Sequence, residues 1–142
     1  MKLYLDNCCY NRPFDDQTQL KIHLESEAKL HIQQCIRDEK YHLVWSYILE
    51  YENMKNPYDT RRQAIIPWKS IADEYVTASD KIVAFAELLA GKGIKTYDAL
   101  HLACAVSAGC DYFLTTDKKL LNTPIPEIKT RNPIDFIREM EE

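Results

Sequence analysis

Thr96-Tyr97-Asp98-Ala99-Leu100-His101-Leu102-Ala103-Cys104-Ala105-Val106-Ser107-Ala108-Gly109-Cys110-Asp111-Tyr112-Phe113-Leu114-Thr115-Thr116-Asp117 carries a helix, a stop and a strand in sequence. Thr96 is placed to cap a helix running from Tyr97 to about Ala108, because its hydroxyl can accept from the free N–H groups of the first turn. Gly109 ends that helix, since glycine tolerates the positive φ that closes one. Asp111–Thr115 is short and apolar at its centre, which reads as a buried strand. Asp117 follows it. A helix feeding straight into a buried strand is half of a βαβ unit, and such units build mostly parallel sheets with right-handed crossovers.

The same alternation extends outward from this unit. Ser79 or Asp80 caps a helix over Lys81–Ala90, which Gly91 and Gly93 end. Tyr75–Thr77 is a short strand, and Asp59–Ile66 is a helix that stops before Pro67. His42–Trp45 is a buried strand, and Ser46 caps the helix that follows it through Glu52 to about Lys55. Gln17–Arg37 is helical, with Leu20, Leu24, Ala28, Ile32, Cys35 and Ile36 at helical spacing. Asn11–Asp16 is a loop, and Lys2–Asp6 is an opening strand. Downstream, Asp117–Leu121 is one helical turn, Glu127–Thr130 a last strand, and Asn132-Pro133 opens a terminal helix to Met140. The pattern is α/β with a central, mostly parallel sheet, in a single domain over residues 1–142.

Composition narrows the function. The 142 residues are 46% hydrophobic and 28% charged, the balance of one globular domain. No apolar run approaches the ~20 residues of a membrane span. The N-terminus meets an acid at Asp6, too early for a signal-peptide core, so the cytoplasm is expected. Eighteen Lys and Arg against 22 Asp and Glu leave a net charge of −4. A non-specific nucleic-acid binder is strongly basic, and this chain is not one. Five cysteines, without a CxxC, suggest neither disulfides nor zinc; they read as small buried apolar residues. Three glycines are too few for the phosphate loop of a flavodoxin-like domain.

In parallel sheets ligands gather beyond the carboxyl ends of the strands, and four acids fall there. Asp6 ends the first strand, Glu52 lies in the helix after the second, Asp98 stands in the first turn of its helix, and Asp117 follows Tyr112–Thr115. Separately, Asp98 can complement a helix dipole, Asp117 can cap a helix and Glu52 can lie on a solvated face. Together they form an oxygen-only donor set, which suits hard divalent cations such as Mg²⁺ or Mn²⁺.

These acids sit in motifs that resemble the PIN-domain nucleases, the group that includes VapC-type toxins. Leu5-Asp6-Asn7-Cys8-Cys9-Tyr10-Asn11-Arg12-Pro13 resembles the family's opening strand and first acid. Trp45-Ser46-Tyr47-Ile48-Leu49-Glu50-Tyr51-Glu52 resembles its serine-then-glutamate helix, where the acid lies six positions after the serine; that selects Glu52 over Glu50. Asp98-Ala99-Leu100-His101-Leu102-Ala103 resembles the third motif, and Phe113-Leu114-Thr115-Thr116-Asp117 the fourth. The likeness runs from Leu3 to about Ile137. One departure is Asn53–Lys95, longer than in many members and able to hold two helices and a strand.

The resemblance implies a three-layer α/β/α fold and a metal-dependent endoribonuclease that hydrolyses RNA phosphodiester bonds. It assigns Asp6, Asp98 and Asp117 as the principal Mg²⁺ or Mn²⁺ ligands, with Glu52 on a second metal or orienting the attacking water. Thr115 or Thr116 would hydrogen-bond a ligand carboxylate or a phosphate oxygen, and Asn7 would steer Asp6. Arg12, Lys55, Arg61, Arg62 and Lys95 are positioned for RNA phosphates, or are ordinary solvated charges. His101 reads as a satisfied core or rim histidine rather than a general base. Aromatics near Glu52 (Tyr47, Tyr51, Tyr58, Trp68 and Tyr97) suit unpaired bases or a protein interface. The expected partners are RNA, a second copy in a homodimer, and an antitoxin over the acidic cleft. The alternative is a non-catalytic PIN-like module that binds RNA or protein.

Overall fold

The structure is a computed structural model describing residues 1–142. Its first half runs β1 (Lys2–Leu5), α1 (Asn7–Asn11), a 3₁₀ turn (Arg12–Phe14), α2 (Leu20–Arg37), β2 (His42–Ser46), α3 (Tyr47–Met54), α4 (Asp59–Ile65) and α5 (Pro67–Ile71). The second half runs β3 (Glu74–Val76), α6 (Asp80–Gly91), α7 (Thr96–Ser107), β4 (Tyr112–Leu114), α8 (Lys118–Leu121), β5 (Lys129–Arg131) and α9 (Pro133–Met140). The strands form one sheet in the order β3-β2-β1-β4-β5, parallel throughout.

β1 is central because its residues suit burial on both faces: Leu3, Tyr4 and Leu5 are fully buried. Each such side chain contributes about 1.5–3 kcal/mol on leaving water. In register, Tyr4 lies opposite Val44 on one side and Phe113 on the other. Tyr4 and Phe113 stack at 5.3 Å, and Tyr4 meets His101 of α7 edge-on. Side chains alternate along a strand, so the intervening positions face the other layer. There Trp45 packs on Tyr10 of α1 and Tyr112 on Phe136 of α9. Helices α6 and α7 thus cover one face, and α1, α2 and α9 the other. This is the expected three-layer α/β/α arrangement.

Ser46, Ser79 and Asn132 cap their helices through side-chain oxygens, and Gly109 takes φ +71° after α7. Several local readings change, beginning with α2, which starts at Leu20 rather than Gln17. Asn11–Asp16 is not simply a loop: the carboxylate of Asp6 accepts the Asn7 N–H and caps α1, and the chain continues into the 3₁₀ turn at Pro13. Pro67 does not only stop α4; it occupies the first position of α5, where its missing N–H costs nothing. Thr96 is no cap, since α7 begins there and the cap position, Lys95, makes no side-chain bond. The last strand is Lys129–Arg131 rather than Glu127–Thr130. No helix is long and apolar enough to cross a membrane.

Candidate active site

The carboxyl ends of β1, β2 and β4 open into one acidic cleft. Asp6 leaves β1 with only 5% of its surface exposed. Its Oδ1 accepts the Asn7 N–H at 2.8 Å, and its Oδ2 accepts the Thr115 hydroxyl at 2.8 Å. The Cys8 sulfur stands 3.4 Å from both Asp6 Oδ2 and Thr115 Oγ1, and it accepts the Thr116 N–H. Thr115 Oγ1 in turn accepts the Asp117 N–H at 3.1 Å. The end of β4 is therefore tied to the first acid through one hydroxyl. Cys9, Cys35, Cys104 and Cys110 are buried as expected; Cys8 is only partly so and belongs to this cleft.

Glu52 enters from α3. One of its oxygens pairs with Nε2 of His101, and the other accepts from Asn7 Nδ2 at 3.3 Å. His101 is fully buried, and its Nε2 is 3.9 Å from Asp6 Oδ1. Its Nδ1 lies 2.6 Å from the Tyr4 hydroxyl, which is also 2.6 Å from Ser46 Oγ. A chain of polar contacts thus runs from the cap of α3, through the sheet, to the carboxylate on the same helix. Burial alone would lower the His101 pKa. The bond to Glu52, with the charges of Asp6, Glu52 and Asp98, outweighs it and raises the pKa. Glu50 points elsewhere, to Lys69 Nζ and the Tyr75 hydroxyl, both at 2.5 Å.

Asp98 stands in the first turn of α7. Its carboxyl is raised from 3.8 to about 6, first by burial and then by the charges of Asp6, Asp117 and Glu52, with His101 opposing. Like charges from four distant chain segments therefore act on one another here. Asp117 doubles as a helix cap, its Oδ1 accepting from the backbone of Lys119 and Leu120. As the side chains stand, no three His, Cys, Asp or Glu residues are disposed to hold a metal ion. Three of the four acids instead spend oxygens on protein partners: Asp6 on Thr115, Glu52 on His101 and Asp117 on α8. The donor chemistry, four carboxylates in mutual repulsion without a cysteine thiolate cluster, fits a hard divalent cation.

A family model of the PIN domain matches residues 15–126, most of the chain. The chain belongs to the PIN-domain family. That family is one of nucleases. The matched span takes in Glu52, Asp98 and Asp117 and begins after Asp6. Two solved structures are similar in fold. VapBC2 from Rickettsia felis, bound to a DNA fragment from its promoter, aligns over 93% of this chain and 98% of that one, at TM-score 0.60 and 15% identity. VapBC-1 from nontypeable Haemophilus influenzae aligns over 94% and 98%, at TM-score 0.58 and 16% identity. No curated protein matches the sequence.

Around the cleft of this PIN domain the basic residues divide. Arg12 turns inward: it donates to Thr116 Oγ1 at 2.8 Å and to Asp15 at 3.0 Å, and its Nε lies 3.2 Å from the buried Glu25. Arg61 is held by Asp15 and the Phe14 carbonyl, and Arg62 by Asp59 and the Asn56 carbonyl. Lys95 is exposed beside Asp98. Lys55 covers the Tyr51 ring, which lies 6.0 Å from that of Tyr97; Tyr51 and Tyr97 are exposed, each one residue before an acid of the cleft. Trp68 is not among the surface aromatics, because it is buried in the core. Asn7 differs from expectation in detail: its side chain reaches Glu52, and only its backbone N–H serves Asp6. Sequence reading did not assign Tyr4 or Cys8 to the cleft. The one available signal for Cys8 was its place two residues after Asp6.

Proposed function

We propose that this PIN domain is a divalent-metal-dependent endoribonuclease, with Asp6, Asp98 and Asp117 as the principal ligands of Mg²⁺ or Mn²⁺ and Glu52 completing the site. What supports the reading is the bonding at the carboxyl edge of the sheet: Asn7 and His101 stand between Asp6 and Glu52, and Thr115 ties Asp6 to the Asp117 N–H, while burial first and the neighbouring acids next raise the Asp98 carboxyl. A bound divalent cation would supply phosphate neutralisation and a more acidic water. The chain's own residues do the rest. Thr115 and Cys8 hold Asp6 at the end of β1, and His101 and Asn7 hold Glu52 toward the same cleft. Tyr51 and Tyr97 offer rings at the cleft mouth for unpaired bases. Thr116 accepts from Arg12, which leaves its own hydroxyl proton to donate to a phosphate oxygen or a ligand carboxylate.

Two partner readings accompany the activity. The two similar structures are VapBC proteins, and we take this chain to be the toxin of a toxin–antitoxin pair, with an antitoxin bringing Arg or Lys to the acidic cleft. Exposed Leu20, Leu24 and Leu30 on α2, with Val83 and Leu88 on α6, supply apolar surface for pairing as a homodimer. The test is incubation of pure protein with a mixed RNA pool. Cleavage with Mg²⁺ or Mn²⁺ that stops with chelator supports the nuclease. Binding of RNA without cleavage under any divalent metal supports the non-catalytic module. Growth arrest on expression in bacteria supports the toxin, and normal growth with an active enzyme a stand-alone nuclease. Light scattering that finds only monomer contradicts the homodimer.

A further inference from the structure

A second pocket, sharing no residue with the acidic cleft, opens between α2 and the α4–α5 segment, with a volume of about 360 Å³. Lys29 lines it from the inner face of α2 with 5% of its surface exposed, its ammonium 5.6 Å from the Tyr10 ring centroid. It forms no ion pair. Burial lowers its pKa to about 8, with Cys9 opposing and Arg37 adding to the fall, and no carboxylate acts on it. Arg37, about two turns along the same helix, lies over the Trp68 ring at 4.9 Å and likewise has no carboxylate partner. None of the eleven lining residues is acidic, in a chain where acids outnumber bases. The walls also carry two polar atoms closed off from solvent and without a hydrogen-bond partner, Tyr10 Oη and Gln33 Nε2.

A buried, unpaired cation is stabilised by the arrival of an anion. Two cations flanking one cavity suit a phosphate more than a single carboxylate, since a guanidinium and an ammonium can share its oxygens. Phe14, 38% exposed at the rim, supplies flat apolar surface beside them, while the Trp68 ring in the wall backs the Arg37 guanidinium. The volume lies at the small-ligand end of the range for binding pockets, roughly 300–1,000 Å³. We propose that this pocket binds a phosphate-bearing planar ligand of nucleoside-monophosphate size, its phosphate between Lys29 and Arg37 and its ring toward Phe14. The ligand is either a free mononucleotide or the phosphorylated end of a strand. The proposal does not depend on the nuclease reading.

Titration calorimetry on the full chain tests it, in chelator so that no metal recruits phosphate to the acidic cleft. The probes are adenosine and uridine 5′-monophosphates, adenosine, inorganic phosphate, and a short oligoribonucleotide with either a 5′-phosphate or a 5′-hydroxyl. A mononucleotide should bind about tenfold or more tighter than adenosine, and Lys29→Met and Arg37→Gln should each weaken it by about tenfold or more. Arg37 is exposed, so its variant keeps the fold and decides the matter even if Lys29→Met unfolds. Tight binding of only the 5′-phosphorylated oligomer, lost in Arg37→Gln, assigns the pocket to strand ends. Tight binding of mononucleotide alone assigns it to free nucleotide. The proposal is overturned if no phosphorylated probe binds at millimolar concentration, if adenosine binds as well as its monophosphate, or if Arg37→Gln leaves affinity unchanged.

Discussion

Asp98→Asn removes one charge from a cluster of like charges while keeping the shape of the side chain. The Asp98 carboxyl moves from 3.8 to about 6 on folding. A shift of about two units corresponds to a ceiling of about 3 kcal/mol. The site is open on one side, and solvent screening reduces this to about 1.5 kcal/mol. The raised folded pKa fixes the sign: the folded state holds the proton more tightly than the unfolded chain. Asp98 therefore costs no stability below pH 3.8, and the cost grows as pH rises to about 6 and is complete above it. The metal-free variant should gain about 1.5 kcal/mol at pH 7.5, a rise in Tm of about 3–6 °C for a chain of this size, and gain nothing near pH 3.5. Thermal unfolding followed by circular dichroism in chelator, at both pH values, measures it. A variant no more stable than wild type at pH 7.5, or equally stabilised at both pH values, would refute the claim that burial and the neighbouring acids together penalise the Asp98 charge.

Arg12→Ala should destabilise by about 2–4 kcal/mol in urea, because it strands Glu25, 1% exposed, with only Asn132 as partner; a loss under about 1 kcal/mol would contradict the buried pairing. His101→Leu should cost about 2–3 kcal/mol by removing the partner of Glu52 and one partner of Tyr4, with an unchanged urea midpoint as the contrary result. Under the proposed activity, Glu52→Gln should slow RNA cleavage by about a hundredfold or more, whereas Glu50→Gln should leave it nearly unchanged, since Glu50 faces Lys69 and Tyr75. A larger rate loss at Glu50 would reassign the second acid.

Much of this was legible from local pattern. β1, β2 and β4 announce themselves as short apolar runs, and the acids at or beyond their ends mark the functional edge of a parallel sheet. What the pattern hides is tertiary. α1 is only five residues long and exists because Asp6, read as a metal ligand, also caps it. α5 hides behind a proline that reads as a stop yet suits a helix start. Thr96 looks like a cap by residue type, but the turn begins one position earlier. In the cleft, the acids stand out by charge and position, whereas Tyr4 and Cys8 look like ordinary core residues until the sheet sets them beside His101 and Asp6. Lys29 is the extreme case: a lysine within a helix reads as surface, and only the packing of α2 against α1 and α5 puts it indoors.

The proposed joint hold of Asp6, Glu52, Asp98 and Asp117 on a divalent cation is measured by titrating Mn²⁺ into the metal-free protein by calorimetry, beside Asp6→Asn and Asp98→Asn. Saturable binding to the wild type is expected, with a loss of about tenfold or more in affinity in each variant, because each removes an anionic ligand from an oxygen-only site. Equal Mn²⁺ affinity in wild type and both variants, or no binding to the wild type at all, would contradict it.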